Sequence, residues 1–309
     1  MDKNKFIKQP NKLPTTLYPT EIIPSRPEVY QIEVASICNM KCIMCPTPHF
    51  PRKNKKPLID VDLVKKIVDE GDLEASYFVE LQQSGEPLLH PNLSEIIDIV
   101  KSTGVYIGLS TNGLLLEEQT EALSKLNYIT FSLDSIDNYN AIRTSKVSII
   151  KLIRKIKNFL PIAKEKNIAI DIQIVELAGF LDQKKKIEHI FKEDNVFIRT
   201  MTNGYLLHQF PEMENTCREL CLNPWTSASI SCNGNVSACC ISTGDGIQLG
   251  DITKQSLKEI WKGEEVEKLR EEHMTRNYRY VCSRCYMRSP HLCHAKFYYD
   301  SIRQRNKKC

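Results

Sequence analysis

Cys38-Asn39-Met40-Lys41-Cys42-Ile43-Met44-Cys45 stands directly after the apolar, β-rich run Tyr30–Ile37, and the rest of the chain is read outward from it. Three thiols on one tight loop can hold an iron–sulfur cluster, and three rather than four leave one iron without a protein ligand. That open position is where chemistry can happen. Parallel α/β folds place their reactive loops at the C-terminal ends of strands, which is where Cys38 stands.

Further runs of the same β-rich character follow at Tyr77–Gln82, Tyr106–Ser110, Ile129–Leu133, Ile168–Val175 and Val196–Met201. Helical patterns fill the gaps, at Val61–Glu70, Leu93–Ser102, Glu117–Lys125, Ser148–Lys166 and Gln183–Lys192. Six such βα units predict a parallel sheet. The Lys- and Glu-rich faces of the helices read as solvated surface. Residues 1–29, rich in Lys, Pro and Thr, read as an N-terminal arm, and residues 30–205 as the core domain.

After Tyr205 the character changes. Residues 206–300 hold eight of the twelve cysteines, with few helical repeats and the turn signals Asn233-Gly234-Asn235 and Gly244-Asp245-Gly246. This segment reads as a small metal-organised domain, followed by a basic tail over 301–309. The start, Met1-Asp2-Lys3-Asn4-Lys5, runs into prolines and lysines, so no signal peptide is expected, and no apolar run is long enough to cross a membrane. A cytoplasmic protein is expected, in which clustered cysteines favour metal ligation over disulfides. The net charge of +4 is spread along the chain and argues only weakly for a polyanionic partner.

Motifs recur at the strand ends. Ser84-Gly85-Glu86-Pro87 follows the second run, Ser110-Thr111-Asn112-Gly113 ends the third and Ser132-Leu133-Asp134 ends the fourth. Together with the three cysteines they resemble the radical SAM superfamily over roughly Val29 to Met201. The resemblance implies a partial (β/α)6 barrel of parallel strands, an α/β fold, followed by a small cysteine-rich auxiliary-cluster domain. It also implies a 4Fe–4S cluster on Cys38, Cys42 and Cys45 whose open iron is chelated by S-adenosylmethionine. By the same resemblance Gly85 and Glu86 border the methionine end, and only a residue without Cβ permits close approach at Gly85. Asn112, Ser132 and Asp134 sit where ribose or carboxylate contacts are expected. Met44 stands where the family packs near adenine; a core methionine is the plain alternative. The family usually has two glycines where this chain has Ser84-Gly85.

The second segment is similar to the auxiliary-cluster domains called SPASM and Twitch. Cys221-Leu-Asn-Pro-Trp225, Asn233-Gly234, Cys239-Cys240, Leu249-Gly250-Asp251, Ser256 to Trp261 and Cys282-Ser-Arg-Cys285 occur in order. The likeness implies a second 4Fe–4S cluster on Cys221, Cys239, Cys282 and Cys285, with Cys217 as a substitute for Cys221. Four ligands would close it to substrate, which suits electron transfer. Only Cys293 follows before the terminal Cys309, so the shorter one-cluster Twitch form is expected. Four thiolates also suit structural zinc. Cys240 is either a buried thiol or a hydrogen-atom donor to a substrate radical.

The remaining candidates are plainer. Arg143, on the helix-like stretch beginning at Tyr139, would contact a substrate or cofactor carboxylate or else form a surface ion pair. His90 would shape a turn, and Glu176 ends the fifth strand facing the pocket. The basic stretches Arg276 to Arg288 and Arg303 to Lys308 raise nucleic acid as a partner, but the first also holds cluster ligands, whose charge its arginines would offset.

The chain is thus expected to cleave S-adenosylmethionine to a 5′-deoxyadenosyl radical and take a hydrogen atom from a substrate C–H bond. Oxidation with the auxiliary cluster as electron acceptor is expected first, and epimerisation through Cys240 second. A zinc-stabilised nucleic-acid-binding or interaction protein without turnover is the rival from another class. The expected partners are a sugar, aminocyclitol or short-peptide substrate and an electron donor such as flavodoxin or ferredoxin.

Overall fold

The structure, a computed structural model, describes residues 25–45, 47–48, 56–176, 182–202, 221–239, 247–283 and 285. Six parallel strands form its core: β1 (Val29–Ile32), β2 (Phe78–Glu80), β3 (Ile107–Thr111), β4 (Tyr128–Ser132), β5 (Ala169–Glu176) and β6 (Phe197–Thr202). The sequence places all six within a few residues. The largest difference is at β1, which ends at Ile32 rather than Ile37, because the chain there turns into the cysteine loop.

A seventh parallel strand comes from the second segment. β7 (Ser227–Ile230) pairs with β1 over Val29↔Ser227 to Ile32↔Ile230. It turns back through Asn233 and Gly234 into β8 (Asn235–Ser237), which pairs with the short β9 (Gly250–Asp251). The sheet order is therefore β6-β5-β4-β3-β2-β1-β7-β8-β9. Gly234 has φ of +88°, the left-handed backbone that a glycine adopts without strain in such a turn. Core and auxiliary segments thus share one sheet, and the expected boundary at 205/206 falls outside the described residues.

Helices cover one face of this sheet. α1 (Val61–Glu70) buries Leu63, Val64 and Ile67, and α2 (Leu93–Lys101) buries Leu93, Ile96, Ile97 and Val100. α3 (Thr120–Ser124), α4 (Tyr139–Arg143), α5 (Ile149–Lys166) and α6 (Gln183–Ile190) follow. The Ser148 side chain accepts from the Lys151 N–H at the start of α5, and Asn167, at φ 61°, closes its end. α3 is shorter than the expected Glu117–Lys125, because residues 114–119 form turns. These helices pack on Tyr30, Ile32, Val79, Leu81, Ile107, Leu109, Ile129, Phe131, Ile170 and Ile172. Each such burial is worth about 1.5–3 kcal/mol.

The opposite face of the strands carries an apolar cluster of Val29, Phe78 and Tyr128 and, beside it, a polar network. The Ser229 hydroxyl donates to Gln31 Oε1 at 2.8 Å, and Gln31 Nε2 donates to Glu80 Oε2 at 3.0 Å. Ser110 donates to the other oxygen of Glu80 at 3.2 Å. Further across, Arg199 Nη2 donates to Tyr128 Oη and to Thr130 Oγ1, each at 2.9 Å, and Tyr128 donates to Asp171 at 2.8 Å. The periodicity of two puts these residues on the face that the helices leave uncovered.

In the second segment, α7 (Asn223–Thr226) precedes β7, and α8 (Leu257–Trp261) begins with a capping box between Ser256 and Glu259. α9 (Glu264–Met274) buries Val266, Leu269, Arg270 and His273, and α10 (Tyr280–Ser283) is the last described helix. No helix among the described residues is long and apolar enough to cross a membrane.

Candidate active site

The three-cysteine loop is held from two sides. On one, the Ile43 N–H donates to Ile142 O and the Lys41 N–H to Thr144 Oγ1, each at 2.9 Å, which docks the loop on the end of α4. On the other, Asn112 Nδ2 donates to Asn39 Oδ1 at 2.8 Å, just past the end of β3. Cys38 is exposed, Cys42 buried and Cys45 half-buried.

Two of the thiols, Cys38 and Cys42, are costly to ionise. Loss of solvation, then the neighbouring charges of Glu86, Cys42 and Cys45, push Cys38 up to about 11 against the help of a backbone hydrogen bond at Met40. Burial likewise pushes Cys42 up, with Arg143 opposing and Cys45 adding to the rise. Such a set calls for an electropositive centre that relieves all three thiolates at once. No group of three or more His, Cys, Asp or Glu among the described residues is compact enough for a single metal ion. A multinuclear iron–sulfur cluster, with thiolate ligands only, is the larger object that the donor set fits.

Gly85 is also required by the protein's own packing. A Cβ there would lie 2.2 Å from Ala35 O and 2.5 Å from Ile37 O, so the glycine lets the loop after β2 lie against the backbone leading into the cysteine loop. The Glu86 N–H then donates to Ile37 O at 2.8 Å. The Glu86 carboxylate points inward, accepting from Thr111 Oγ1 at 2.6 Å, Asn112 N at 2.8 Å and Leu88 N at 3.1 Å. Burial raises its pKa, and these three donors pull against the rise. Glu86 therefore orients the Asn112 turn. Asn112 accepts from Leu114 N at 2.9 Å through Oδ1, so both ends of its amide are fixed. Ser132 lies nearly buried at the end of β4.

Asp134 and Arg143 form a buried pair, with Arg143 Nε 2.5 Å from Asp134 Oδ2 and side-chain exposures of 11% and 0%. The surface ion pair considered for Arg143 is therefore not what forms. Asp134 has φ of 66°, and its Oδ1 accepts from Val175 N at 2.8 Å. Arg143 Nη1 in turn approaches Cys42 Sγ at 3.8 Å. Burial by itself would lower the pKa of Arg143, but the charges of Asp134 and Cys42 outweigh it and the net shift is upward.

Met44 packs in the main apolar cluster. His90 bridges Ile59 O at 3.0 Å and Asn92 N at 3.1 Å, as a turn-forming histidine would. Arg279 is spent on Glu272, at 2.6 and 2.9 Å. The side chain of Glu176 and all of Cys217, Cys240, Cys293, Cys309 and Arg303 to Lys308 lie outside the described residues. Gln31 and Glu80 were missed in the sequence, although polar residues inside β-rich runs were the signal that one face is not packed by helices.

The second set of thiols also converges. Cys221, Cys239, Cys282 and Cys285 are each half-buried. Burial first, then Cys239, Cys285 and Cys282, raises Cys221 well above the usual thiol range. Burial, Cys239 and Cys285 push Cys282 up to about 12. Four thiols close enough for their charges to be felt at Cys221 and Cys282 fit a second cluster with all its irons ligated. Cys232 stands apart, donating through Sγ to Glu33 O at 3.0 Å, while its N–H donates to Glu33 Oε2 at 3.1 Å.

Comparison with known proteins bears on both sets. The radical SAM superfamily model matches residues 32–175, and the SPASM iron–sulfur cluster-binding domain model matches residues 221–286. The second match is to the SPASM model, where the sequence reading favours the Twitch form. A Pyrococcus furiosus protein described as a tungsten-containing aldehyde ferredoxin oxidoreductase cofactor-modifying protein is 34% identical over 110 residues, 33% of this chain and 30% of its own. A probable GTP 3′,8-cyclase of Methanococcus vannielii is 31% identical over 170 residues, 53% of this chain and 57% of its own. The chain thus spans about a third to just over half the length of these relatives.

Among solved structures, Streptococcus suis SuiB bound to precursor peptide SuiA aligns with a TM-score of 0.63 at 15% identity, covering 91% of this chain and 74% of that one. BtrN in complex with AdoMet and 2-DOIA aligns at 0.54 and 17% identity, covering 80% and 87%. At such identities the likeness is one of fold. Residues 32–175 are a radical SAM superfamily domain and residues 221–286 a SPASM iron–sulfur cluster-binding domain; the first implies a 4Fe–4S cluster with S-adenosylmethionine and the second auxiliary iron–sulfur.

Proposed function

We propose that this enzyme oxidises a small polar substrate by removing a hydrogen atom from one of its C–H bonds. The observation behind this reading is the pairing of a three-thiol loop at the strand ends with a four-thiol set on the same sheet. When bound, a cluster with one open iron supplies an electron to the sulfonium of S-adenosylmethionine and so generates a 5′-deoxyadenosyl radical.

The chain's own residues divide the remaining work. Cys38, Cys42 and Cys45 hold the first cluster, and Glu86 fixes the Asn112 turn beside it. Gly85, Asn112 and Ser132 border the space for S-adenosylmethionine. Cys221, Cys239, Cys282 and Cys285 hold the acceptor for the electron that the substrate radical releases along with a proton. An electron donor of the flavodoxin or ferredoxin kind fits the first step.

The substrate class of this reading is one rich in hydroxyl or amino groups, such as a sugar or aminocyclitol, as the likeness in fold to BtrN suggests. BtrN was solved with the small molecule 2-DOIA, while SuiB was solved with a peptide. The cyclase likeness is confined to about half of each chain.

The test is anaerobic turnover with a chemical reductant, S-adenosylmethionine and a panel of cyclitols, aminocyclitols, sugars and short peptides. Formation of 5′-deoxyadenosine, stimulated by a cyclitol or sugar and matched by an oxidised product, is the expected result. Stimulation by peptides alone would overturn the substrate class.

A further inference from the structure

The buried Asp134–Arg143 pair is not explained by the fold alone. Burying two charges to pair them gains little over apolar packing, so what else the pair faces matters. Asp134 is fixed on one side by the Val175 N–H and occupies Arg143 Nε on the other. That leaves the far edge of the guanidinium turned to Cys42, with Nη1 3.8 Å from its sulfur. The backbone around Arg143 holds the same stretch of loop, through Ile142 O to Ile43 N and Thr144 Oγ1 to Lys41 N. Cys42 is also the most buried of the three loop thiols, so a charge placed beside it is poorly screened.

We infer that Arg143 sets the reduction potential of the first cluster by donating a hydrogen bond to the Cys42 sulfur, with Asp134 as the positioning residue that aims it. This rests on the proposed cluster at Cys38, Cys42 and Cys45. A charged donor on a ligating sulfur withdraws electron density from the iron and stabilises the reduced state. The guanidinium, held at Nε, presents its remaining N–H groups in a fixed plane, which an ammonium on a flexible stem does not. No bond is made or broken; the effect is on the energy of one added electron.

The experiment is a redox titration, followed by EPR, of the anaerobically reconstituted full chain and its R143Q and R143K variants, all without S-adenosylmethionine. Leaving that cofactor out removes any contribution from a contact between Arg143 and its carboxylate. R143Q is expected to lower the ratio of reduced to oxidised first cluster at least tenfold at a fixed potential, about 59 mV for a one-electron couple. R143K is expected to fall between it and the parent. The auxiliary cluster, studied in the same samples, is expected to keep its potential, which separates a local effect from misfolding. If R143Q loses iron from the first site, R143K alone decides.

A first-cluster ratio within twofold of the parent in whichever variants hold iron would overturn the inference. Failure of the underlying reading looks different: the parent itself would show no first-cluster signal.

Discussion

The Glu86 carboxylate accepts a hydrogen bond from the Asn112 backbone N–H at 2.8 Å, tying the loop after β2 to the loop after β3. Thr111 and Leu88 supply two more donors, so the carboxylate has donors on every side. E86Q would set an amide N–H against one of these donors and leave a buried group unsatisfied. A loss of about 1–3 kcal/mol in stability is expected, measured from denaturant midpoints on the iron-free protein. A change of a few tenths would mean that the two loops are held otherwise.

Gly85 is the tightest contact between the same loop and the approach to the cysteines. In G85A the new methyl would meet the carbonyl oxygens of Ala35 and Ile37, both backbone atoms that cannot swing aside. The strain is expected to cost about 1–3 kcal/mol and to reduce iron occupancy of the first site while leaving the second filled. Full iron content in G85A, with unchanged stability, would contradict the close packing described.

Cys38 and Cys282 lie near 11 and 12 before iron arrives, so both thiols are protonated at neutral pH. Iron must displace those protons, and the sign follows: affinity rises as pH rises toward the thiol values. Apoprotein reconstituted at about pH 9 is expected to hold iron at least about tenfold more tightly than at about pH 7. Competition with a chelator of known affinity measures it, and a pH-independent affinity would count against thiolate ligation.

Oxidation and epimerisation differ in what returns to the substrate. Under oxidation, product formed in heavy water carries no deuterium at the attacked carbon, and C240A behaves as the parent does. Deuterium in the product that vanishes in C240A would instead make Cys240 a hydrogen-atom donor. Mass spectrometry of the product of both proteins decides.

The parts legible in the sequence are those set by local spacing. Cys38, Cys42 and Cys45 fall on one short loop, and β2 to β6 announce themselves through short apolar, aromatic and β-branched runs. What escaped depends on long-range contacts. Arg143 and Cys42 are 101 residues apart, and nothing near either one names the other. β7 joins β1 across about two hundred residues, so a segment that reads as a separate domain extends the core sheet. The approach of Gly85 to the backbone of Ala35 and Ile37, some fifty residues earlier, is likewise invisible in the sequence around it.

The most direct test of the account is the iron and labile sulfide content of anaerobically reconstituted protein beside a Cys38/Cys42/Cys45→Ala triple variant. About eight irons falling to about four is the expected result, one cluster lost and one kept. About four irons falling to none would contradict it, leaving the second set of thiols without a cluster and the oxidation without its electron acceptor.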